Sequence, residues 1–201
     1  MKKAAMYLAS VLLMLFLLIL VALAISLNSE LVNYFQAGNQ VYLDEGNKAI
    51  TDSTLAYLKG PSRDAVIEGL DEKELHHMQD VYSLFRIARI GSAILLLALA
   101  SMLWLACRNG YGTSVNIIKE TISKAGWAGL GLTGVIAVLS LNFGSSFQAF
   151  HLVFFMPGSY MFPADSTLIQ LFPEPFFRDM FISMLALNAI LFGIMAMAGR
   201  K

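Results

Sequence analysis

Residues 74–107 read ELHHMQDVYSLFRIARIGSAILLLALASMLWLAC, a polar segment with two histidines that leads into an apolar one. The second half of this stretch, 87–107, is apolar and long enough for a ~30 Å hydrocarbon core, which takes about 20 residues of helix. No glycine or proline precedes Gly91, so the helix is expected to start well before the apolar half. The stretch therefore predicts a membrane-spanning helix with a polar, histidine-bearing extension of several turns above the membrane.

The chain as a whole has the composition of an integral membrane protein. Of its 201 residues, 57% are hydrophobic and 14% are charged, and the mean hydropathy is +0.65. Soluble domains average about 45–50% apolar and about 25% charged residues. Four segments are long enough to cross a bilayer: about 4–27, 87–107, 126–147 and 180–198. The prediction is a single all-α integral membrane domain, a four-helix transmembrane bundle with an extracellular cap.

The charges indicate which side each segment occupies. Both termini are basic (Lys2, Lys3, Arg200, Lys201), and the loop 108–125 carries three basic residues and one acidic residue. The positive-inside rule makes these parts cytoplasmic. The cap then consists of 28–86 and 148–179. Cleavage of the first segment as a signal peptide is the alternative, but its apolar run exceeds the usual 7–15 residues, so a retained span is favoured.

The two cap segments contain all five prolines of the chain. In the first of these segments, Asn28 or Ser29 is expected to be the N-cap residue of a helix that ends at Gly38. Thr51 or Asp52 is expected to be the N-cap residue of a second helix. Asp71 followed by Glu74 is a variant of the capping box. The second segment is rich in Phe, and its part 167–172 is predicted to lie in the membrane interface or to form a lid.

Small residues mark one face of the third predicted span. Gly126, Gly129, Gly131 and Gly134 form a stripe that predicts close packing against another helix. Cys107, the one cysteine, excludes an internal disulfide and is interpreted as a small packing residue.

Histidine is the one side chain whose unperturbed pKa lies near neutrality. The chain has three histidines, and they lie in two short segments. On a helix His77 shares a face with Asp80, whereas His76 points about 100° away and is expected at the surface. Asp80 is therefore a candidate for orienting His77. His151 lies between Phe150 and Leu152, one turn before Phe154-Phe155. The sequence predicts acid–base chemistry at the outer leaflet.

Other interpretations of these residues stay open. His77, Asp80 and His151 are also a plausible ligand set for zinc, although no His-x-x-x-His or Cys pair is present. Arg86 and Arg89 either extend to the headgroups or bind an anionic group of a substrate. The chain lacks a nucleophile elbow, a phosphate loop and a dinucleotide fingerprint, so no soluble cofactor and no nucleic-acid partner are expected.

At these residues the chain resembles the bacterial four-span lipoprotein intramolecular transacylases (Lit). The resemblance rests on His77-Met78-x-Asp80-Val81 and on Phe150-His151-x-x-Phe154-Phe155, which is followed by Leu168-Ile169-x-Leu171-Phe172-Pro173. Spacing and span number agree over nearly the whole chain. One departure is Tyr160, which stands where the family pattern predicts Trp.

The resemblance implies a cofactor-independent acyltransferase of the bacterial cell membrane. Such an enzyme moves the sn-2 acyl chain of a diacylglyceryl-modified lipoprotein to the α-amino group of its N-terminal Cys, giving the lyso-form. His77 and His151 would be catalytic; we expect His77 as the base, oriented by Asp80, and His151 as the acid or oxyanion partner. The predicted substrate-binding residues are Phe150, Phe154, Phe155, Tyr160, Arg86 and Arg89.

Two other functions compete with this one. A lipid or lipopeptide hydrolase would use the same histidines with water as nucleophile. A non-enzymatic membrane partner or sensor would use the aromatic cap to bind a protein, and its histidines would be dispensable.

Overall fold

All regular structure in the described part of the chain is helical. The computed structural model describes residues 2–41, 44–61, 66–108 and 115–198. Its α-helices are α1 (Lys2–Ser26), α2 (Ser29–Gly38), α3 (Glu45–Lys59), α4 (Glu72–Arg108), α5 (Val115–Leu139), α6 (Phe143–Phe154), α7 (Thr167–Leu171) and α8 (Glu174–Met197). Four of them, α1, α4, α5 and α8, are long and apolar enough to cross a membrane. The predicted all-α, four-span membrane fold is confirmed.

Helix α4 confirms the prediction from its sequence. It has 37 residues, which at 1.5 Å per residue is about 55 Å and far more than a ~30 Å hydrocarbon core requires. It begins with the predicted capping box: the Glu74 backbone N–H donates to Asp71 Oδ1 (2.7 Å), and the Asp71 N–H donates to Glu74 Oε2 (2.9 Å). His77 thus lies on a rigid helix, ten residues or about 15 Å before the apolar part begins at Ile87.

The contacts of the chain group its residues into two compact units. The bundle unit contains residues 1–22, 88–139 and 184–201, and the histidine unit contains residues 23–87 and 140–183. Helices α1, α4 and α8 contribute residues to both units, whereas α5 belongs to the bundle unit alone. The histidine unit includes both segments predicted to form the cap, 28–86 and 148–179.

Packing in the bundle unit explains part of the glycine stripe. A Cβ atom on Gly126 would lie 2.3 Å from the Ala196 nitrogen, and one on Gly129 would lie 2.4 Å from the Phe192 ring. Close packing of α5 on α8 therefore requires glycine at both positions. A Cβ atom on Gly131 or Gly134 would meet nothing within 4 Å, so the other half of the stripe makes no such contact within the described residues.

The predicted boundaries of the third span are corrected. Helix α5 runs from Val115 to Leu139, not over 126–147, and so includes part of the segment 108–125 that was expected to be a loop. The chain then turns, and the Asn142 side chain accepts a hydrogen bond from the Ser145 N–H to cap the separate helix α6. Polar residues such as Ser140 and Asn142 mark this turn, but polar residues near the end of a predicted span also suit headgroup depth. Here Asn142 instead caps a new helix.

In the histidine unit, the predicted N-cap residue is confirmed for α2 and is wrong for α3. Asn28 caps α2, as predicted. Helix α3 starts earlier than predicted, because Asp44 rather than Thr51 or Asp52 is its cap. A hydrophobic core joins α3, α4 and α7 through six buried residues: Tyr57, Leu58, Ile67, Met78, Tyr82 and Leu168. Met78 directly follows His77, so this core fixes the rotation of α4 and with it the direction of the His77 side chain.

Candidate active site

Two imidazoles from distant parts of the sequence stack on each other in the histidine unit. The ring of His77, on α4, and the ring of His151, on α6, have centroids 6.2 Å apart and planes inclined by 20°. Phe155, just after α6, contacts both rings, with centroids 4.9 Å from His77 and 5.4 Å from His151. The fold therefore unites the two histidine segments that the sequence singled out.

His77 is enclosed by apolar groups. Its side chain is only 8% exposed, and the Phe162 ring packs against it at 5.5 Å. Its Nδ1 atom is buried and has no hydrogen-bond partner among the described residues. A buried ring nitrogen without a partner costs free energy, so His77 keeps an unmet capacity for one hydrogen bond.

Burial controls the charge of His77. Loss of solvation, followed by the positive charge on His151, lowers the pKa of the His77 imidazole from 6.5 to about 4, while the carboxylate of Asp80 opposes this shift. Asp80 lies three residues on, where the helix brings it to the same face. Its influence on His77 is electrostatic, and its carboxylate does not accept a hydrogen bond from the buried Nδ1 atom.

His151 is held by a backbone carbonyl within its own helix. Its Nδ1 lies 2.7 Å from the Phe147 carbonyl oxygen. A carbonyl oxygen only accepts hydrogen bonds, so Nδ1 carries a proton, and Nε2 is left to exchange protons with a substrate. Aromatic rings surround the imidazole, with centroid distances of 4.4 Å to Phe147, 4.8 Å to Tyr160 and 5.6 Å to Phe150.

The other predicted site residues are distributed unevenly. Phe155 contacts both histidines and Tyr160 contacts His151, whereas Phe154 is 52% exposed and packs against the Phe150 ring. Arg86 is exposed, and nine residues along a helix place it on the side of α4 opposite His77. Arg89 belongs to the bundle unit. His76 is exposed, as its helical phase predicted.

Sequence reasoning missed two aromatic contacts of the site. Phe147 lies one helical turn before His151, a spacing that would have revealed it had the break before α6 been recognised. Phe162 lies in an irregular segment that follows Pro157, and no local pattern indicates that it would return to His77. Only the tertiary structure identifies it.

The zinc interpretation gains no support from the geometry. Within residues 2–41, 44–61, 66–108 and 115–198, no group of three or more His, Cys, Asp or Glu side chains is placed to hold a metal ion. The arrangement that is present, two imidazoles in a shell of aromatic rings, is suited to proton transfer at a site with little water.

Comparison with known proteins identifies the fold and the family of the chain. Solved structures of the membrane-integral lipoprotein intramolecular transacylase Lit from Bacillus cereus share the fold. One has a TM-score of 0.80 at 14% identity and covers 97% of this chain and 92% of the other. A variant of that protein with one histidine replaced by arginine has a TM-score of 0.77 at 15% identity, covering 100% and 91%.

At such low identity these structures establish the fold alone. A search of curated proteins finds no match. The family model described as lipoprotein intramolecular transacylase Lit matches residues 4–177, most of the chain. With the paired histidines and the four-span fold already established, this match shows that the chain belongs to the Lit family of lipoprotein intramolecular transacylases.

Proposed function

We propose that His77 and His151 catalyse transfer of the sn-2 acyl chain from the diacylglyceryl group of a lipoprotein to the α-amino group of its N-terminal Cys. As a family member, the chain is a membrane-integral acyltransferase that acts within a lipoprotein. The observation that supports these catalytic residues is the stacked pair of imidazoles inside an aromatic shell. The product would be the N-acylated lyso-form.

The reaction requires two proton transfers. The attacking α-amino group has a pKa near 7.7–8.0 in model compounds, so at neutral pH a fraction of it has already lost its ammonium proton to water and can attack. As the new C–N bond forms, the amine nitrogen loses one proton, and as the ester C–O bond breaks, the departing glycerol oxygen takes one up. One imidazole can accept the first proton while the other supplies the second.

The environment of each ring supports His77 as the base and His151 as the acid. Burial penalises positive charge on His77, so its imidazole is neutral at neutral pH and can accept a proton. Charge on His151 is itself one cause of the low pKa of His77. As His151 donates a proton to the glycerol oxygen, that repulsion ends, and His77 can hold the proton that the amine nitrogen loses as the C–N bond forms.

The aromatic shell contributes by confinement. Nucleophile and ester belong to the same substrate molecule, and correct placement can lower the barrier by about 7–11 kcal/mol. The Phe155 ring, 8% exposed and against both histidines, limits access of water to this position. The more exposed Phe150 and Phe154 are proposed to contact acyl chains, and Arg86 and Arg89 to contact anionic headgroups at the membrane surface.

The charge distribution supports a site at the outer leaflet with both termini in the cytoplasm. The two termini and the segment 108–125 together hold seven Lys and Arg and one acidic residue. The remaining seven basic residues are accompanied by thirteen acidic ones on the other side. Short basic segments of this kind stay in the cytoplasm, which assigns the histidine unit to the outer side.

A product assay distinguishes transacylation from its competitors. The protein in lipid nanodiscs is incubated with a diacylglyceryl lipopeptide that has a free N-terminal Cys, and the products are analysed by mass spectrometry. We expect an acyl amide on Cys and a free hydroxyl on glycerol, without change in total mass. Release of free fatty acid without amide would support a hydrolase instead, and unchanged substrate would support a non-enzymatic role.

Acid is expected to destabilise the protein through His77. Its pKa is about 4 in the folded protein and about 6.5 when unfolded. Between these values the unfolded chain binds more protons, so stability from this group falls as the pH decreases from 6.5 to 4. The loss is on the order of 3 kcal/mol and persists below pH 4.

This effect is measured by thermal unfolding of wild type and of His77→Gln at pH values between 7.5 and 4. Subtracting the pH-dependent change in stability of the variant from that of wild type removes the contributions of other groups. Wild type should lose more stability on acidification than the variant. Parallel curves for the two proteins would show that His77 is not the responsible group.

A further inference from the structure

Residues 160–168, here called the strap, cover both histidines of the proposed site. At one end Tyr160 lies 4.8 Å from His151, and Phe162 lies 5.5 Å from His77, measured between ring centroids. The strap is irregular until α7 begins at Thr167. Since no helix or strand fixes its first seven residues, the positions of these two rings depend on how the strap is attached.

Two adjacent side chains of α4 attach the strap near its two ends. Lys73 Nζ donates a hydrogen bond to the Met161 carbonyl oxygen (2.5 Å) and lies 5.2 Å from the centroid of the Phe162 ring. Glu74 Oε1 accepts a hydrogen bond from the Leu168 backbone N–H (2.9 Å). Both residues lie within about one helical turn of His77.

The burial of Glu74 exceeds what its role in the capping box requires. A capping box needs one side-chain oxygen, which Glu74 supplies through Oε2, and it functions on exposed helices. Glu74 is nevertheless only 2% exposed. Burying a carboxylate is costly unless its oxygens are hydrogen-bonded, so the second bond, to the strap, offsets a cost that a surface Glu or Gln would avoid.

We propose that Glu74 and Lys73 are positioning residues that hold the strap over the histidines and so favour acyl transfer to the amine over transfer to water. The inference rests on the proposed function. In transacylation the amine nitrogen bonds to the acyl carbon, the ester C–O bond breaks, and the amine proton replaces the acyl group on the glycerol oxygen. In hydrolysis a water oxygen forms that bond instead, a water proton goes to glycerol, and a fatty acid is released.

Both reactions use the same two histidines, so the access of water decides between them. A loosened strap moves Phe162 and Tyr160 away from the imidazoles and admits water. The ratio of free fatty acid to N-acyl product should therefore increase. A general loss of folding would reduce both products together and leave their ratio unchanged.

The test measures this ratio with full-length protein in nanodiscs and the diacylglyceryl lipopeptide described above. Lys73→Met removes the hydrogen bond and the charge at an exposed position, so folding is not threatened. Glu74→Gln retains the shape but replaces one acceptor oxygen with an amide nitrogen. Each is expected to raise the ratio roughly fivefold, as loss of one hydrogen bond implies.

Two matched variants serve as controls. Lys73→Arg keeps a cationic donor over Phe162, and Glu72→Gln changes an exposed carboxylate on the same turn; both should keep the wild-type ratio. Amide formation by wild type with an unchanged ratio in Lys73→Met and Glu74→Gln would overturn the strap inference alone. Wild type that releases only fatty acid would instead overturn the proposed function, and with it the basis of the inference.

Discussion

Replacing His77 or His151 with alanine is expected to lower the rate of N-acyl product formation by about 10²–10⁴-fold, the usual contribution of one general acid or base. Each variant removes one of the two imidazoles that stack at 6.2 Å. Because the two act on one proton-transfer sequence, the double variant should lose little more than the slower single variant. The measurement is the initial rate of lipopeptide conversion, followed by mass spectrometry.

His76→Ala is the matched control for these variants. It removes a histidine from the same turn of α4, but an exposed one, and should retain full activity. His77→Gln accompanies His77→Ala, since it preserves more of the buried volume, and thermal unfolding verifies that each protein is folded. A folded His77→Gln or His151→Ala with wild-type activity would contradict the assignment of an acid–base pair.

Gly126→Ala is expected to destabilise the protein by disrupting the packing of α5 on α8. The added Cβ would lie 2.3 Å from the Ala196 nitrogen and 2.7 Å from the Met195 carbonyl carbon. Both are backbone atoms of the last turn of α8. No side-chain rotation can relieve the clash, so α5 must move away from α8. Overpacking typically costs about 1–3 kcal/mol, sometimes more, and we expect a decrease in melting temperature of several degrees in detergent.

Gly131→Ala provides the comparison within the same helix. A Cβ there has nothing within 4 Å, and alanine favours a helix over glycine by up to about 1 kcal/mol. This variant should unfold at the same temperature as wild type or slightly higher. Equal melting temperatures for Gly126→Ala and wild type would show that α5 and α8 do not pack as described.

Local patterns predicted those parts of the fold that depend on neighbouring residues. The capping box of α4, the Asn28 cap of α2 and the four apolar helices all follow from short-range hydrogen bonds and from the cost of placing polar groups in lipid. The break between α5 and α6 was missed because the polar residues around it, such as Ser140 and Asn142, also suit the headgroup end of one continuous span.

The site was predictable in its titratable groups but not in its enclosure. Histidine chemistry selects His77 and His151, and helical phase separates them from the exposed His76. The contacts of Phe162 with His77 and of Glu74 with Leu168 join residues 85 and 94 positions apart, respectively. No periodicity in the sequence relates such positions, because an irregular segment can return to many places.

The order of residues is thus sufficient to predict that 74–107 form one helix that carries histidines beyond an apolar span. Composition, hydropathy and capping are local or additive properties, and each follows from the sequence. Three further properties appear only in the folded chain: His151 stacks on His77, burial lowers the pKa of His77 to about 4, and the strap covers both rings. These properties depend on the packing of segments distant in sequence, since desolvation and ring contacts arise only when the chain has folded.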